Sequence, residues 1–239
     1  LEQKLEKFSG AKYAISCSSG TDALLLAMMA INIEPGDEII TTPFTWISTS
    51  ETIAFLKVKP VFVDIEPDTF NINSKLIENV ITKKTKAIMP VSLFGQPSDM
   101  DQIQKIANKY NLKVIIDGAQ SFGSTYKNYT DSNLGDLSIT SFFPSKPFGC
   151  YGDGGAVFTN NYDYAEKIKM LRVHGQKKRN HHKYIGIGGR MDTIQAAILL
   201  AKYPYLSNEL KNRKKIADHY TAGLSKILQT PVIKKNRTS

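Results

Sequence analysis

Short apolar runs recur along the chain, and most are followed by a stretch whose apolar residues return every three or four positions. Ala14-Ile15-Ser16-Cys17 reads as a strand and the apolar stretch Ala23 to Ile31 as a helix. Glu38 to Thr42 and then Ile47 to Leu56 repeat the pair, as do Pro60 to Asp64 and the helix from Asn73/Ser74 to Ile81, which starts at a good capping residue. Ala87 to Val91 precedes a helix from Met100 to Tyr110, with Ile103, Ile106 and Ala107 on one face, and Val114 to Asp117 is another strand. These strands lack polar alternation, so both of their faces are covered. The pattern predicts an α/β fold, a mostly parallel central sheet with helices on both faces.

Further on, Leu137 to Phe143 and Gly155 to Thr159 read as two strands that bracket Lys146. Tyr162 to Val173 is helical, Gln176 to Lys183 a polar basic loop, and Met191 to Leu200 a helix that Pro204 kinks or breaks. Glu209 to Leu224 is a long basic helix, and Thr230 to Ile233 reads as the first strand of something unfinished. The opening Leu1 to Phe8 is an amphipathic helix already under way, which predicts a trimmed N-terminus.

In a parallel sheet, ligands bind beyond the carboxyl ends of the strands, and the chemically capable residues fall there. Ser18-Ser19-Gly20-Thr21-Asp22 joins a strand to a helix. Its small residues serve either as a plain N-cap, through Ser19 or Thr21, or as a turn whose N–H groups meet a phosphate. Trp46, the single tryptophan, is either core or a stacking surface for a flat ligand. Asp117 ends the most apolar strand, where a carboxylate needs a cation or a hydrogen-bond donor; a protonated ring nitrogen meets that need. Lys146 follows Ser141-Phe142-Phe143-Pro144-Ser145 and precedes a glycine-rich loop. It is either a surface lysine or a desolvated amine that attacks a carbonyl through a Schiff base. His181-His182 do not share a helix face, so no metal site is expected from them. Gly186 to Arg190 lacks dinucleotide-fingerprint spacing.

Composition narrows the picture further. The chain has 239 residues, 41% hydrophobic and 22% charged, as in an ordinary globular protein. It holds no apolar run long enough to span a bilayer. Its cysteines, Cys17 and Cys150, make no disulfide framework, which points to a reducing, cytoplasmic setting. The net charge of +9 is uneven: residues 167–239 carry 17 Lys/Arg against 3 Asp/Glu, about +14, leaving about −5 for the rest. The basic residues are scattered without a nucleic-acid-binding motif. An anionic metabolite such as a nucleotide fits them equally well, and neither nucleic acid nor membrane is expected as a partner.

The ordered set Ser-Gly-Thr-Asp-Ala, Pro-Phe-Thr-Trp, Asp-x-x-Gln, Ser-x-x-x-x-Lys, Gly-Asp-Gly-Gly-Ala and Arg-x-Asp-x-x-Gln-Ala-Ala spans nearly the whole chain. It resembles the DegT/StrS-type sugar aminotransferases, pyridoxal-phosphate enzymes of fold type I. The resemblance implies a pyridoxal 5'-phosphate-binding large domain over residues 1–200. A connecting helix over 201–239 would lead to a C-terminal small domain that is largely missing. It implies that Lys146 binds the cofactor and shuttles the proton, that Asp117 pairs with the ring nitrogen and that Gln120 lies near the phenolic oxygen. Trp46 would stack on the ring, and Gly20, Thr21 and Ser141 would hold the phosphate. The implied reaction moves an amino group from glutamate to a nucleotide-linked keto-sugar for surface polysaccharide. The stretch from Phe142 to Gly155 resembles in particular members that aminate C3 of UDP-linked N-acetyl-hexuronates, with Arg190 meeting the sugar carboxylate. A homodimer with shared active sites is implied as well. Gly188 departs from the pattern, since many members carry asparagine there to reach the neighbouring subunit's phosphate. Two alternatives share the scaffold: a non-catalytic regulatory or sensor protein, and a sugar dehydratase, which carries histidine where this chain has Lys146.

Overall fold

The computed structural model describes residues 1–239. Helix α1 (Glu2–Ser9) leads into β1 (Tyr13–Cys17) and directly on to α2 (Gly20–Ala30). The alternation continues through β2 (Glu38–Thr41), α3 (Ser48–Phe55), β3 (Lys59–Phe62), β4 (Thr85–Ile88), α4 (Met100–Tyr110) and β5 (Lys113–Asp117). A small hairpin, β6 (Thr125–Tyr126) and β7 (Tyr129–Thr130), precedes β8 (Leu137–Ser141) and β9 (Gly155–Thr159). Then come α5 (Tyr162–Leu171), a second hairpin of β10 (Gln176–Lys178) and β11 (His181–His182), α6 (Thr193–Lys202) and α7 (Leu206–Leu224).

Seven strands form one sheet in the order β1-β9-β8-β5-β4-β2-β3. Strands β3, β2, β4, β5 and β8 run parallel, and β9 is antiparallel to both of its neighbours. Strand side chains alternate between faces, and the apolar residues sort accordingly. Ile39, Ile115 and Val157 pack with α2 and α5 on one side. Ile40 and Ile116 pack with Ile103 and Ile106 of α4 on the other, and Phe158 with Leu5 of α1 and Leu199 of α6. Helix α2 is enclosed on nearly all sides, burying Ala23, Leu24, Leu26, Ala27, Met28 and Ala30, which explains its lack of a polar face. Each fully buried leucine or isoleucine in these layers contributes about 1.5–3 kcal/mol relative to exposure.

The structure departs from the sequence reading in three places. Ser74–Val80 is a 3-10 helix, capped as expected by Asn73, whose Oδ1 accepts from Lys75 N at 3.1 Å. Only Ser74 and Ile77 of it are buried, too narrow a face to reward α-helical turns. The expected loop at Gln176 to Lys183 is the β10–β11 hairpin, turned by Asn180 at φ 62°. Pro204 does break the helix as expected: it sits early in the 3-10 turn Tyr203–Tyr205, where its missing N–H costs little, and the next helix starts at Leu206. Thr230 to Ile233 is not a strand: its backbone groups go to side chains and loops instead, Val232 donating to Asp68 O at 3.0 Å and accepting from Gln96 Nε2 at 2.9 Å. Residues 232–239 thus run back over the body of the protein as a strap.

Candidate active site

The carboxyl ends of β1, β2, β5 and β8 converge on one cavity of about 380 Å³, within the range of a small-molecule site. Its wall includes Gly20, Thr21, Trp46, Asp117, Gln120, Ser141 and Lys146. These are all the residues expected to hold the cofactor. Arg190 is the exception, being exposed and outside this wall.

At the β1–α2 turn, Ser19 caps the helix, its Oγ accepting from Asp22 N at 2.9 Å. The capping and phosphate readings are compatible, because the cap leaves the N–H groups at the start of α2 facing the cavity end of the sheet. Gly20 is required there by space: a Cβ would lie 2.8 Å from Ser141 Cβ. Gly155 is held to the same standard, since its Cβ would fall 2.4 Å from Ser19 O. The two turns therefore meet almost backbone to backbone, with Ser141 8% exposed between them.

Asp117 is buried and makes no ion pair. Burial pushes its carboxyl above the usual range; the Thr49 hydroxyl, the Ala119 N–H and the charge of Lys146 pull the other way. Thr49 Oγ1 donates to Oδ2 at 2.7 Å and Ala119 N to Oδ1 at 3.2 Å. Thr49 is the functional residue that sequence reading missed. The signal was present in Thr45 and Thr49, four apart at the helix start, whose hydroxyls share a hydrogen bond at 2.9 Å. Next to them Thr21 Oγ1 and Ser48 Oγ are also bonded at 2.9 Å, tying the starts of α2 and α3 together. Trp46 is 71% exposed, so it is cavity rim and not core.

Lys146 is half-buried, and its N–H donates to Phe143 O at 2.9 Å. Its loop is fixed at both ends: Phe142 N donates to Gly154 O and Cys150 N to Phe142 O, each at 2.7 Å. Gln195, on α6, braces the far side by accepting from Tyr151 N at 2.9 Å. As expected, β8 and β9 pair across this loop, Ser141 opposite Gly155. Neither cysteine competes as a nucleophile: both are buried, and burial pushes the Cys17 thiol up to about 12. No three His, Cys, Asp or Glu side chains gather as a metal site.

These residues fit pyridoxal phosphate on their own chemistry. The buried, unpaired carboxylate of Asp117 is the partner a protonated ring nitrogen needs, and the close-set turn at Gly20, Thr21 and Ser141 offers donors to a phosphate. A primary amine, Lys146, stands on the same wall.

Comparison with known proteins agrees. The model of the DegT/DnrJ/EryC1/StrS aminotransferase family matches residues 1–239. The chain is 51% identical over 240 residues to the UDP-2-acetamido-2-deoxy-3-oxo-D-glucuronate aminotransferase of Pseudomonas aeruginosa, covering 100% of this chain and 67% of that protein. It is 46% identical over 221 residues to a pleiotropic regulatory protein of Geobacillus stearothermophilus, covering 92% of this chain and 59% of that one. A solved structure from Bacillus subtilis with bound cofactor PMP superposes with a TM-score of 0.86 at 37% identity, over 94% of this chain and 53% of that one. The chain therefore spans between about half and two thirds of the length of these proteins. With the fold, the site and the matching residues in agreement, the chain belongs to the DegT/DnrJ/EryC1/StrS aminotransferase family, and its cofactor is pyridoxal phosphate.

Proposed function

We propose that this chain is the cofactor-bearing part of a sugar-nucleotide aminotransferase, with residues 1–200 as the pyridoxal-phosphate domain and 201–239 as the connection to a small domain. The reaction moves an amino group from glutamate to a UDP-linked N-acetyl-hexuronate oxidised at C3, leaving 2-oxoglutarate. The observation that carries this reading is Lys146 and the buried Asp117 on one cavity wall. The name of the Pseudomonas relative supports the sugar.

The chemistry supplied by pyridoxal phosphate when bound is an electron sink for the carbon beside the transferred nitrogen. Asp117 holds a proton on the ring nitrogen and so keeps that sink effective. Gly20, Thr21 and Ser141 bind the phosphate, Trp46 covers the ring, and Gln120 donates to the phenolic oxygen. Lys146 would hold the cofactor through its amine, and Nζ would act as the general base that takes the proton from the donor's α-carbon and then as the acid that gives it back. The second half-reaction repeats this in reverse at C3 of the sugar.

Arg190, exposed and outside its own cavity, is proposed to reach the sugar carboxylate in a second copy's site, since a bidentate guanidinium suits a carboxylate. The exposed rim residues Trp46 and Phe143 and the almost wholly exposed α7 support a homodimer that covers them. The substrate class and the free cysteines support a cytoplasmic location. No helix is long and apolar enough to cross a membrane.

The name of the Geobacillus relative favours one second reading, a regulatory protein on the same scaffold. Spectra decide between them. Purified protein with pyridoxal phosphate is expected to be yellow, with an absorbance band from protein-bound cofactor. That band disappears in Lys146→Ala and bleaches on adding glutamate or, in reverse, the matching UDP-3-amino sugar. A protein that binds the cofactor but bleaches with no amine in a panel of UDP-amino sugars is the regulator. One that takes up no cofactor at saturation is neither.

A further inference from the structure

The turn between β4 and α4 is held more firmly than a connecting loop requires. Phe94 adopts φ 54° and Gly95 φ 90°. The left-handed region is strained for a bulky side chain, and such strain persists only where the surroundings fix it. Asn71, buried, grips both ends of the turn: its Oδ1 accepts from Leu93 N at 3.2 Å, and its Nδ2 donates to Gln96 O at 2.9 Å. Gln96 is 2% exposed, and its side chain faces the strap. Its Nε2 donates to Val232 O at 2.9 Å and its Oε1 accepts from Lys234 N at 2.8 Å, the pair of bonds a neighbouring strand would make. The strap then continues to Phe94 itself, where Ser239 Oγ donates to Phe94 O at 2.7 Å. Gly95 allows this approach, because a Cβ there would lie 2.8 Å from Ser239 Oγ.

On its other side the same turn reaches the cavity. Phe94 N donates to Gln120 Oε1 at 2.9 Å, and Gln120 lines the cavity wall. A carboxamide whose oxygen already accepts from a backbone N–H is oriented with its NH2 free to offer a ligand. We propose that Gln96 is a positioning residue. By pairing with the strap it holds the Phe94 turn, and the Phe94 N–H in turn fixes Gln120 with its NH2 as the donor toward the cofactor. The active-site amide is thereby set by residues 232–239, far away in sequence. The role of Gln120 rests on the aminotransferase reading above; the clamp itself does not.

The test separates the two. Hydrogen exchange on cofactor-free protein compares wild type with Gln96→Met, which keeps the volume and loses both bonds, and with Ser239→Ala at the exposed end. The Phe94 and Lys234 amides are expected to exchange about tenfold or more faster in Gln96→Met, with a smaller effect at Phe94 in Ser239→Ala and an unchanged pattern in the core strands. Pyridoxal phosphate titrations then complete a double-mutant cycle with Gln120→Ala. Gln96→Met is expected to weaken cofactor binding and shift its absorbance, by roughly five- to tenfold in affinity, but by less than about twofold when Gln120 is already alanine. Unchanged exchange at Phe94, or an effect of Gln96→Met that persists in full without Gln120, overturns the proposal. A wild-type protein that binds no cofactor overturns the aminotransferase reading and the role of Gln120 with it, while the exchange data still judge the clamp.

Discussion

Asp131 is a carboxyl shut away from water beside the loop that follows Asp117. Its Oδ2 accepts from Ser121 Oγ, while Oδ1 is buried without a partner. Burial pushes it from 3.8 to about 6, against the pull of the Ser121 and Ser92 hydroxyls and with a further push from the charge of Asp117. Between those two values the folded protein holds a proton that the unfolded chain releases. Its favourable contribution is therefore complete below the unfolded value and is lost as pH rises through about 6. A shift of this size corresponds to about 3 kcal/mol. Urea unfolding of wild type and Asp131→Asn is expected to show wild type losing stability relative to the variant as pH rises from acid to neutral; a difference that does not change with pH rules this out. Thr49 is the opposite kind of residue, a donor whose removal strands a buried charge. Thr49→Val keeps the shape and removes the 2.7 Å bond to Asp117. It is expected to cost about 1–3 kcal/mol in cofactor-free protein and to raise the Asp117 pKa further, weakening cofactor binding most at the acid end of the range. Unaltered urea stability and cofactor affinity in Thr49→Val would show that the hydroxyl is dispensable.

At the scale of elements, the parallel sheet and its helices were legible because nearly every strand is buried on both faces and so writes an unbroken apolar run. The β8–β9 pair around Lys146 was legible from the two apolar runs that bracket the lysine, though its antiparallel sense was not. Elements whose shape depends on a distant partner were not. Nothing local in Thr230 to Ile233 distinguishes a strand from a strap, since the difference lies in Gln96 and Asp68 taking its backbone groups. The short run at Ser74–Val80 became 3-10 for want of a broad buried face. Site residues followed the same rule: Lys146, Asp117 and Gly20 were readable at strand ends, whereas Thr49 gains its meaning only by facing Asp117 across the sheet. The junction of α2 with β8 gives a test at this scale. Gly20→Ala places a methyl 2.8 Å from Ser141 Cβ, forcing the β1–α2 turn away from the strand end at a cost of about 1–3 kcal/mol. Cofactor affinity is expected to fall more than stability does. Adding Ser141→Gly, which removes the clashing carbon, is expected to recover the stability but not all the affinity, since the Ser141 hydroxyl is also lost. If Gly20→Ala binds pyridoxal phosphate as tightly as wild type, the turn does not hold the phosphate.

For the molecule as a whole, charge and apolar surface tell different stories. The basic excess of residues 167–239 is partly answered within the fold: Arg172 pairs with Glu2 at 2.6 Å, and Lys234 pairs with Asp68. The rest is dispersed over α7 and the β10–β11 hairpin, a spread that suits solubility more than a groove for a polyanion. Among the exposed apolar residues, Trp46 and Ile47 just before α3 are each more than half exposed, and Trp46 borders the cavity; exposed apolar side chains at a cavity rim suit an interaction site. A second copy of the chain is the proposed occupant, one that would also bring an Arg190 to the site. Trp46 reports on this directly, being the only tryptophan in the sequence and 71% exposed in the single chain. Its emission is expected to be that of a water-exposed indole at high dilution and to move to shorter wavelength as concentration rises, over the range in which light scattering shows mass doubling. Pyridoxal phosphate then quenches the same emission, because Trp46 borders the cavity, and it does so with the affinity read from absorbance. Emission that stays water-like while the mass doubles would place the dimer contact elsewhere, leaving the Trp46 rim open to solvent and Arg190 without a partner site to serve.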